Sequence, residues 1–177
     1  MSESDHDENG RDAAAGSEAV NQTGAAQGPR PEVRVAAQFI RDLSFECPHV
    51  EKLLDGPGEN PNLQLQINVN AKQVRDGMFE SVIELKAHAT NSEGTIYDLE
   101  LTYGGAFAIS NIPQNALEPF LLVNCPSILF PFMRRLVADI TREGGFPPLF
   151  LDPIDFASLY MRRKKEQQQV SPQSPIN

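Results

Sequence analysis

The chain has 177 residues, 40% of them hydrophobic, with 15 Lys and Arg against 24 Asp and Glu for a formal net charge of −9. That length suits about one domain. The charge excludes a protein that neutralises nucleic-acid phosphates or lies on an anionic membrane, because both tasks need a basic surface.

Residues 1–32 hold Glu3, Asp5, Asp7, Glu8, Asp12, Glu18 and Glu32 among Gly, Ala, Ser and Gln. Such a segment buries too little apolar surface to offset the entropy of ordering it, so an acidic, disordered N-terminal arm is expected. A folded domain over 33–165 follows, and Gln and Ser-Pro composition predicts a disordered tail over 166–177. The domain opens with a strand over Val33 to Glu46. Strict alternation there puts Phe39, Leu43 and Phe45 inward and Gln38, Ile40, Asp42, Ser44 and Glu46 outward. His49 to Asn62, rich in Gly and Pro, reads as a long irregular crossover, and loops of that length are often functional.

Leu63, Leu65, Ile67, Val69 and Ala71 then alternate without a break, the pattern of a strand with one covered and one wet face. After a turn at Arg75-Asp76-Gly77, a third strand sets Phe79, Ile83, Leu85, Ala87 and Ala89 against Glu80, Glu84, Lys86, His88 and Thr90. The Asn91 to Gly94 turn leads to a fourth, with Tyr97, Leu99, Leu101 and Tyr103 inward and Asp98, Glu100 and Thr102 outward, ending at Gly104-Gly105. Beyond Pro113 the period changes to three and four. A short helix over 116–124, set off by Pro126, precedes a helix over 127–143 that Ser127 could cap, with glycine just past its end. A last helix starts at Asp152-Pro153, with Asp152 as cap, and carries Phe156, Leu159 and Tyr160 on one face. The fold class is α+β: a four-stranded antiparallel sheet with two main helices on one face.

The chemistry-bearing residues are sparse. Cys47 and Cys125 lie 78 positions apart, neither a disulfide framework nor a ligand spacing, and a reducing cytoplasm is the expected location. Cys47 with His49 could form a thiolate and base, yet no third group orients them. His6, His49 and His88 have no zinc spacing, and Gly104-Gly105 lacks the pattern of a phosphate loop, so no metal or cofactor is expected. The longest apolar run, Ile128 to Met133, has six residues, so membrane insertion is not expected either. Arg162 to Lys165 is the one dense basic run, and its place in the last helix accounts for it through the helix dipole. Carboxylates shared by the outward sheet face could meet a basic partner if that face stays open.

Two runs carry a resemblance: Asn124-Cys-Pro-Ser-Ile-Leu-Phe-Pro-Phe-Met-Arg-Arg135, and Gly145-Phe-Pro-Pro-Leu-Phe-Leu-Asp-Pro-Ile-Asp-Phe-Ala-Ser-Leu-Tyr160. Supported by Asp42 to Pro48 and Tyr103 to Ile109, they make the chain similar to the SecB family of bacterial protein-export chaperones over roughly residues 36–162. The resemblance implies a homotetramer built from two dimers. It also implies an ATP-independent holdase that keeps precursor proteins unfolded and passes them to the SecA ATPase for export across the inner membrane. Family members dock SecA, including its basic, zinc-containing C-terminal segment, on an acidic patch of the open sheet face. The matching positions here are Asp42, Glu46, Asp98 and Glu100, with Asp98 departing from a commonly apolar position. Client segments in this family lie in grooves beside the helices, which carries over to Leu63, Leu65, Ile67, Phe156, Leu159 and Tyr160. The crossover lacks the Trp often present in relatives, and the arm is longer. Two other readings stay open: a SecB-like chaperone serving a toxin–antitoxin system, and a small enzyme using Cys47 and His49.

Overall fold

The computed structural model describes residues 30–49, 51 and 61–170. Nearly all of the proposed acidic arm, most of the crossover and the last seven tail residues lie outside them.

Four strands, β1 (Glu32–Glu46), β2 (Asn62–Arg75), β3 (Met78–Asn91) and β4 (Gly94–Ser110), form one sheet in the order β1-β4-β3-β2. Every pairing is antiparallel. Gly77 closes the β2–β3 hairpin at φ 63°, a conformation that costs glycine nothing. Asn91 Oδ1 accepts the N–H of Glu93 at 2.9 Å and fixes the next hairpin. β4 does not end at the glycine pair but runs through it to Ser110. A Cβ at Gly105 would stand 2.7 Å from Leu129 Cδ2, so the helix above packs directly on bare backbone there.

The core lies on one side of the sheet. Ile83, Leu85 and Ala87 of β3 and Leu99, Leu101 and Phe107 of β4 are essentially inaccessible beneath Leu129, Met133 and Val137. These last three belong to a continuous 30-residue helical rod, Gln114–Glu143. It comprises α1 (Gln114–Pro119), one turn of π-helix (Phe120–Asn124) and α2 (Cys125–Glu143). The sequence pattern breaks this rod at Pro126 and caps it at Ser127. Instead, Ser127 Oγ donates to the Val123 carbonyl at 2.6 Å, one turn back within the rod. The wider π turn, in which the Cys125 N–H donates to the Phe120 carbonyl, admits the proline ring that an α-helix would exclude. One window of the rod reaches a mean hydropathy of 1.4, enough by length and composition to cross a bilayer. A count of consecutive apolar residues misses this; the packing of Leu129, Met133 and Val137 on the sheet accounts for that face.

α3 (Phe156–Val170) begins three residues later than an Asp152 cap would have it. Asp155 is the cap: its Oδ1 accepts the Ser158 N–H at 3.0 Å and its Oδ2 the Ser158 hydroxyl at 2.7 Å. Those bonds hold its carboxyl below the usual carboxylate range. The helix passes residue 165 because Glu166 and the three glutamines after it are good helix formers. Between α2 and α3, the buried Thr141 hydroxyl accepts the Leu149 N–H at 2.9 Å, tying the connecting segment down.

Candidate functional site

The helices cover β3 and β4 but stop short of β1. Val33, Val35, Ile40 and Leu43 lie on the covered side of the sheet, opposite Ile109, Phe107, Tyr103 and Leu101, yet each is more than a third exposed. The sequence pattern puts Phe39 inward and Gln38 and Ile40 outward, and the structure reverses all three. A bulge at Arg41, between Ile40 and Asp42, inserts one residue and inverts the alternation back to Ala37, where a second register shift at Ala36 restores it. Phe39 therefore lies on the open face against Gly104, where a Cβ would approach its ring to 2.9 Å. Gln38 instead accepts a hydrogen bond from the Tyr103 hydroxyl at 3.1 Å.

C-terminal to the bulge the expected faces hold, and the four acidic positions come together. Glu46 pairs directly with Asp98, Ser44 with Glu100 and Asp42 with Thr102, so Asp42, Glu46, Asp98 and Glu100 share a few residues of two adjacent strands on the open face. Like charges directly opposite, as at Glu46 and Asp98, repel. Two basic side chains from β3 stand beside them. Lys86 Nζ donates to Glu100 Oε1 at 2.7 Å, and the His88 ring nitrogen Nδ1 contacts Asp98 Oδ1. The bond to Glu100, then the charge of that carboxylate, raises the Lys86 pKa, so the pairing favours the charged amine. The alternation places Lys86 and His88 on this face, but only the register shows that they engage these acids.

Glu80 shares the face without joining the free acidic set. It is 7% exposed, and its carboxylate is held by Arg41, which reaches across β4, and by Lys72 of β2 at 3.3 Å. Small residues on β4, Gly104 and Ala106, leave room for that reach. Glu84 accepts the side-chain amides of Asn68 and Asn70 at 3.1 and 3.0 Å.

The apolar candidates lie at the opposite edge. β2 is an edge strand, and a groove of about 550 Å³ runs between it and α3, lined by Leu65, Ile67, Val69, Leu122, Leu159 and Tyr160. A second, of about 510 Å³, adjoins it beyond Tyr160 and Arg163, with Phe79, Leu117 and Leu121 in its wall. Leu63, 37% exposed, extends the same β2 face. Phe156 does not share this surface. It is 3% exposed and packs edge-on to Phe130, which makes it part of the core.

The edge backbone has a defined polarity. Val69 turns its carbonyl away from β3 to accept Arg163 Nη1 at 2.6 Å, and its N–H donates to Asn68 Oδ1 at 3.0 Å. The antiparallel period then aims the N–H and C=O of Ile67, Leu65 and Leu63 outward as well. Two members of the basic run are engaged within the fold, since Lys164 also donates to the Tyr160 hydroxyl at 3.0 Å.

Cys125 is fully buried in the core, and burial pushes its thiol up to about 12, which makes it a poor nucleophile at neutral pH. Cys47 is half-buried, and His49 Nδ1 lies 3.4 Å from Glu51. Among the described residues no three His, Cys, Asp or Glu side chains are placed to hold a metal ion.

Comparison with known proteins accords with this architecture. The profile of the family described as "Preprotein translocase subunit SecB" matches residues 26–168. The chain is 46% identical over 138 residues to the protein-export protein SecB of Caulobacter sp. (strain K31), covering 78% of this chain and 84% of that one. It is 44% identical over 146 residues to that of Methylocella silvestris, covering 82% and 91%. Among solved structures, the SecB-like chaperone of Mycobacterium tuberculosis in complex with a ChAD peptide from an antitoxin superposes with a TM-score of 0.58 at 13% identity, over 69% of this chain and 90% of that one. That likeness bears on the fold. The sequence matches extend through β1 to α3, and with them this chain belongs to the SecB family of protein-export chaperones.

Proposed function

We propose that the protein is a nucleotide-independent holdase of the cytoplasm that captures unfolded precursor chains and hands them to the SecA ATPase. The observation that carries this is the groove between edge strand β2 and α3, where Leu65, Ile67, Leu159 and Tyr160 stand beside outward-facing backbone groups. Apolar side chains reward burial of any hydrophobic segment, and backbone hydrogen bonds are indifferent to sequence. Together they suit clients that have only unfoldedness in common. The acidic end of the open face supports the second half of the reading, because clustered carboxylates steer and hold a basic partner.

A homotetramer belongs to the same proposal. β1 is a 15-residue edge strand with a bare apolar stripe, and α2 exposes Ile128 and Phe132 on the side away from the sheet. An uncovered edge of that length invites pairing with a second chain. The buried Cys125, whose thiol stays protonated at neutral pH, weighs against a cysteine enzyme built on it.

Native mass measurement with and without an unfolded precursor tests the reading. The expected result is a tetramer that takes up precursor without nucleotide or metal, with a negative heat-capacity change on binding. A monomer at micromolar concentration would sink the assembly, and capture that required nucleotide would sink the holdase. Failure to bind SecA, with capture of an antitoxin chain instead, would move the protein to the toxin–antitoxin class.

A further inference from the structure

At the acidic end of the open face, β1 contributes Asp42, Ser44 and Glu46, β4 contributes Asp98, Glu100 and Thr102, and β3 contributes Glu84, Lys86 and His88. β2 presents only the amides Gln64 and Gln66 opposite His88 and Lys86. Lys86 is thus the cation set among five carboxylates, and Lys86 and His88 each engage a β4 acid. We infer that Lys86 and His88 are built-in competitors for this face, which a docking basic segment must displace from Glu100 and Asp98. This rests on the reading that SecA docks here.

The geometry gives the displaced amine somewhere to go. Glu84 lies two residues before Lys86 on the same strand and the same face, a separation of about 7 Å that a lysine side chain spans. Its charge already acts favourably on the Lys86 amine. Docking then exchanges one carboxylate partner of Lys86 for another, while the incoming cation takes Glu100 together with Glu46. The device confers selectivity. A bare cluster of carboxylates would hold any isolated cation, whereas a self-paired one yields only to a partner that brings several positive charges at the right spacing. Lys86 is therefore a specificity-determining residue that weakens docking, although it contributes to no attraction.

The test is a set of SecA titrations at fixed ionic strength on the full chain. Lys86→Gln is expected to tighten SecA binding by about threefold, the scale of one exposed pair. Lys86→Arg, which keeps the pairing, should stay close to wild type. Arg75→Gln makes the same change in net charge at the far end of the sheet and should also stay close to wild type. Unchanged or weaker binding by Lys86→Gln, or equal tightening by Arg75→Gln, overturns the competitor role. The combined Glu46→Lys and Glu100→Lys variant separates the two levels. If it loses SecA while Lys86→Gln is silent, only the present inference falls; if it binds SecA like wild type, the docking reading falls and takes this inference with it.

Discussion

The Ser81 hydroxyl donates to the carbonyl of Leu121 at 2.9 Å, with both residues buried. That carbonyl needs it. In an α-helix its donor would be the Cys125 N–H, which bonds Phe120 instead, and the π-helical alternative, residue 126, is a proline without an N–H. β3 thus completes a hydrogen bond that the helix cannot make for itself. Ser81→Ala is expected to destabilise the fold by about 1–2 kcal/mol, read as a lower midpoint in urea. An unchanged midpoint would mean the carbonyl finds another partner.

Reversing the charge of Glu46 and Glu100 together should weaken SecA binding and leave capture of an unfolded precursor intact. Both project from the face opposite Phe45, Leu99 and Leu101, away from the grooves. The wild-type interaction should fade as salt rises, because a pair at this surface is screened over about 8 Å at physiological ionic strength. Two parallel titrations, one per ligand, decide it; equal loss in both would indicate damage to the fold.

Leu65→Asn should do the converse. Leu65 is 46% exposed at the groove, so the fold loses little, while a client loses the burial of one leucine. Capture of an unfolded precursor should weaken by about tenfold, at roughly 1.4 kcal/mol, with SecA binding unaffected. Equal precursor affinity would remove Leu65 from the client surface.

Cysteine labelling should be lopsided. Below the ordinary thiol value of 9.0 the two states of Cys125 bind the same proton, so its burial leaves stability independent of pH. As pH rises from there toward about 12, the unfolded thiol ionises while the folded one does not, and stability falls. At pH 8 a thiol reagent should modify Cys47 and reach Cys125 only on unfolding, with no loss of client capture. Rapid native modification of Cys125, or loss of capture when Cys47 reacts, would contradict this.

How far the sequence reaches is visible in particular residues. For Leu63 to Ala71, Phe79 to Ala89 and Tyr97 to Tyr103 the alternation gives the observed faces, because regular pairing and one buried side leave no other register there. In β1 it fails from Ala37 to Ile40, between register shifts at Ala36 and Arg41, since a bulge is a property of the pairing and leaves no mark in the alternation itself. Asp152 and Asp155 both precede helix-forming residues, and only the Ser158 bonds choose between them. Of the acidic positions, all four lie on the open face. The engagement of Glu100 by Lys86, the enclosure of Glu80 by Arg41 and Lys72, and the burial of Phe156 depend on strands and helices far apart in the chain, which no local pattern encodes.

The Arg41 bulge makes β1 a strand with a phase. Between this bulge and a second register shift at Ala36, residues 37–40 obey the opposite rule for which positions may be apolar from the residues on either side. Deleting Arg41 would leave Ile40 directly before Asp42 and still opposite Tyr103, so Phe39 and Ile40 would keep their faces, while Glu80 would lose a counter-ion. A one-residue gap here in any relative therefore preserves the surface of the strand, and substitutions on either side of it have to be compared by face, since counting along the chain misaligns them.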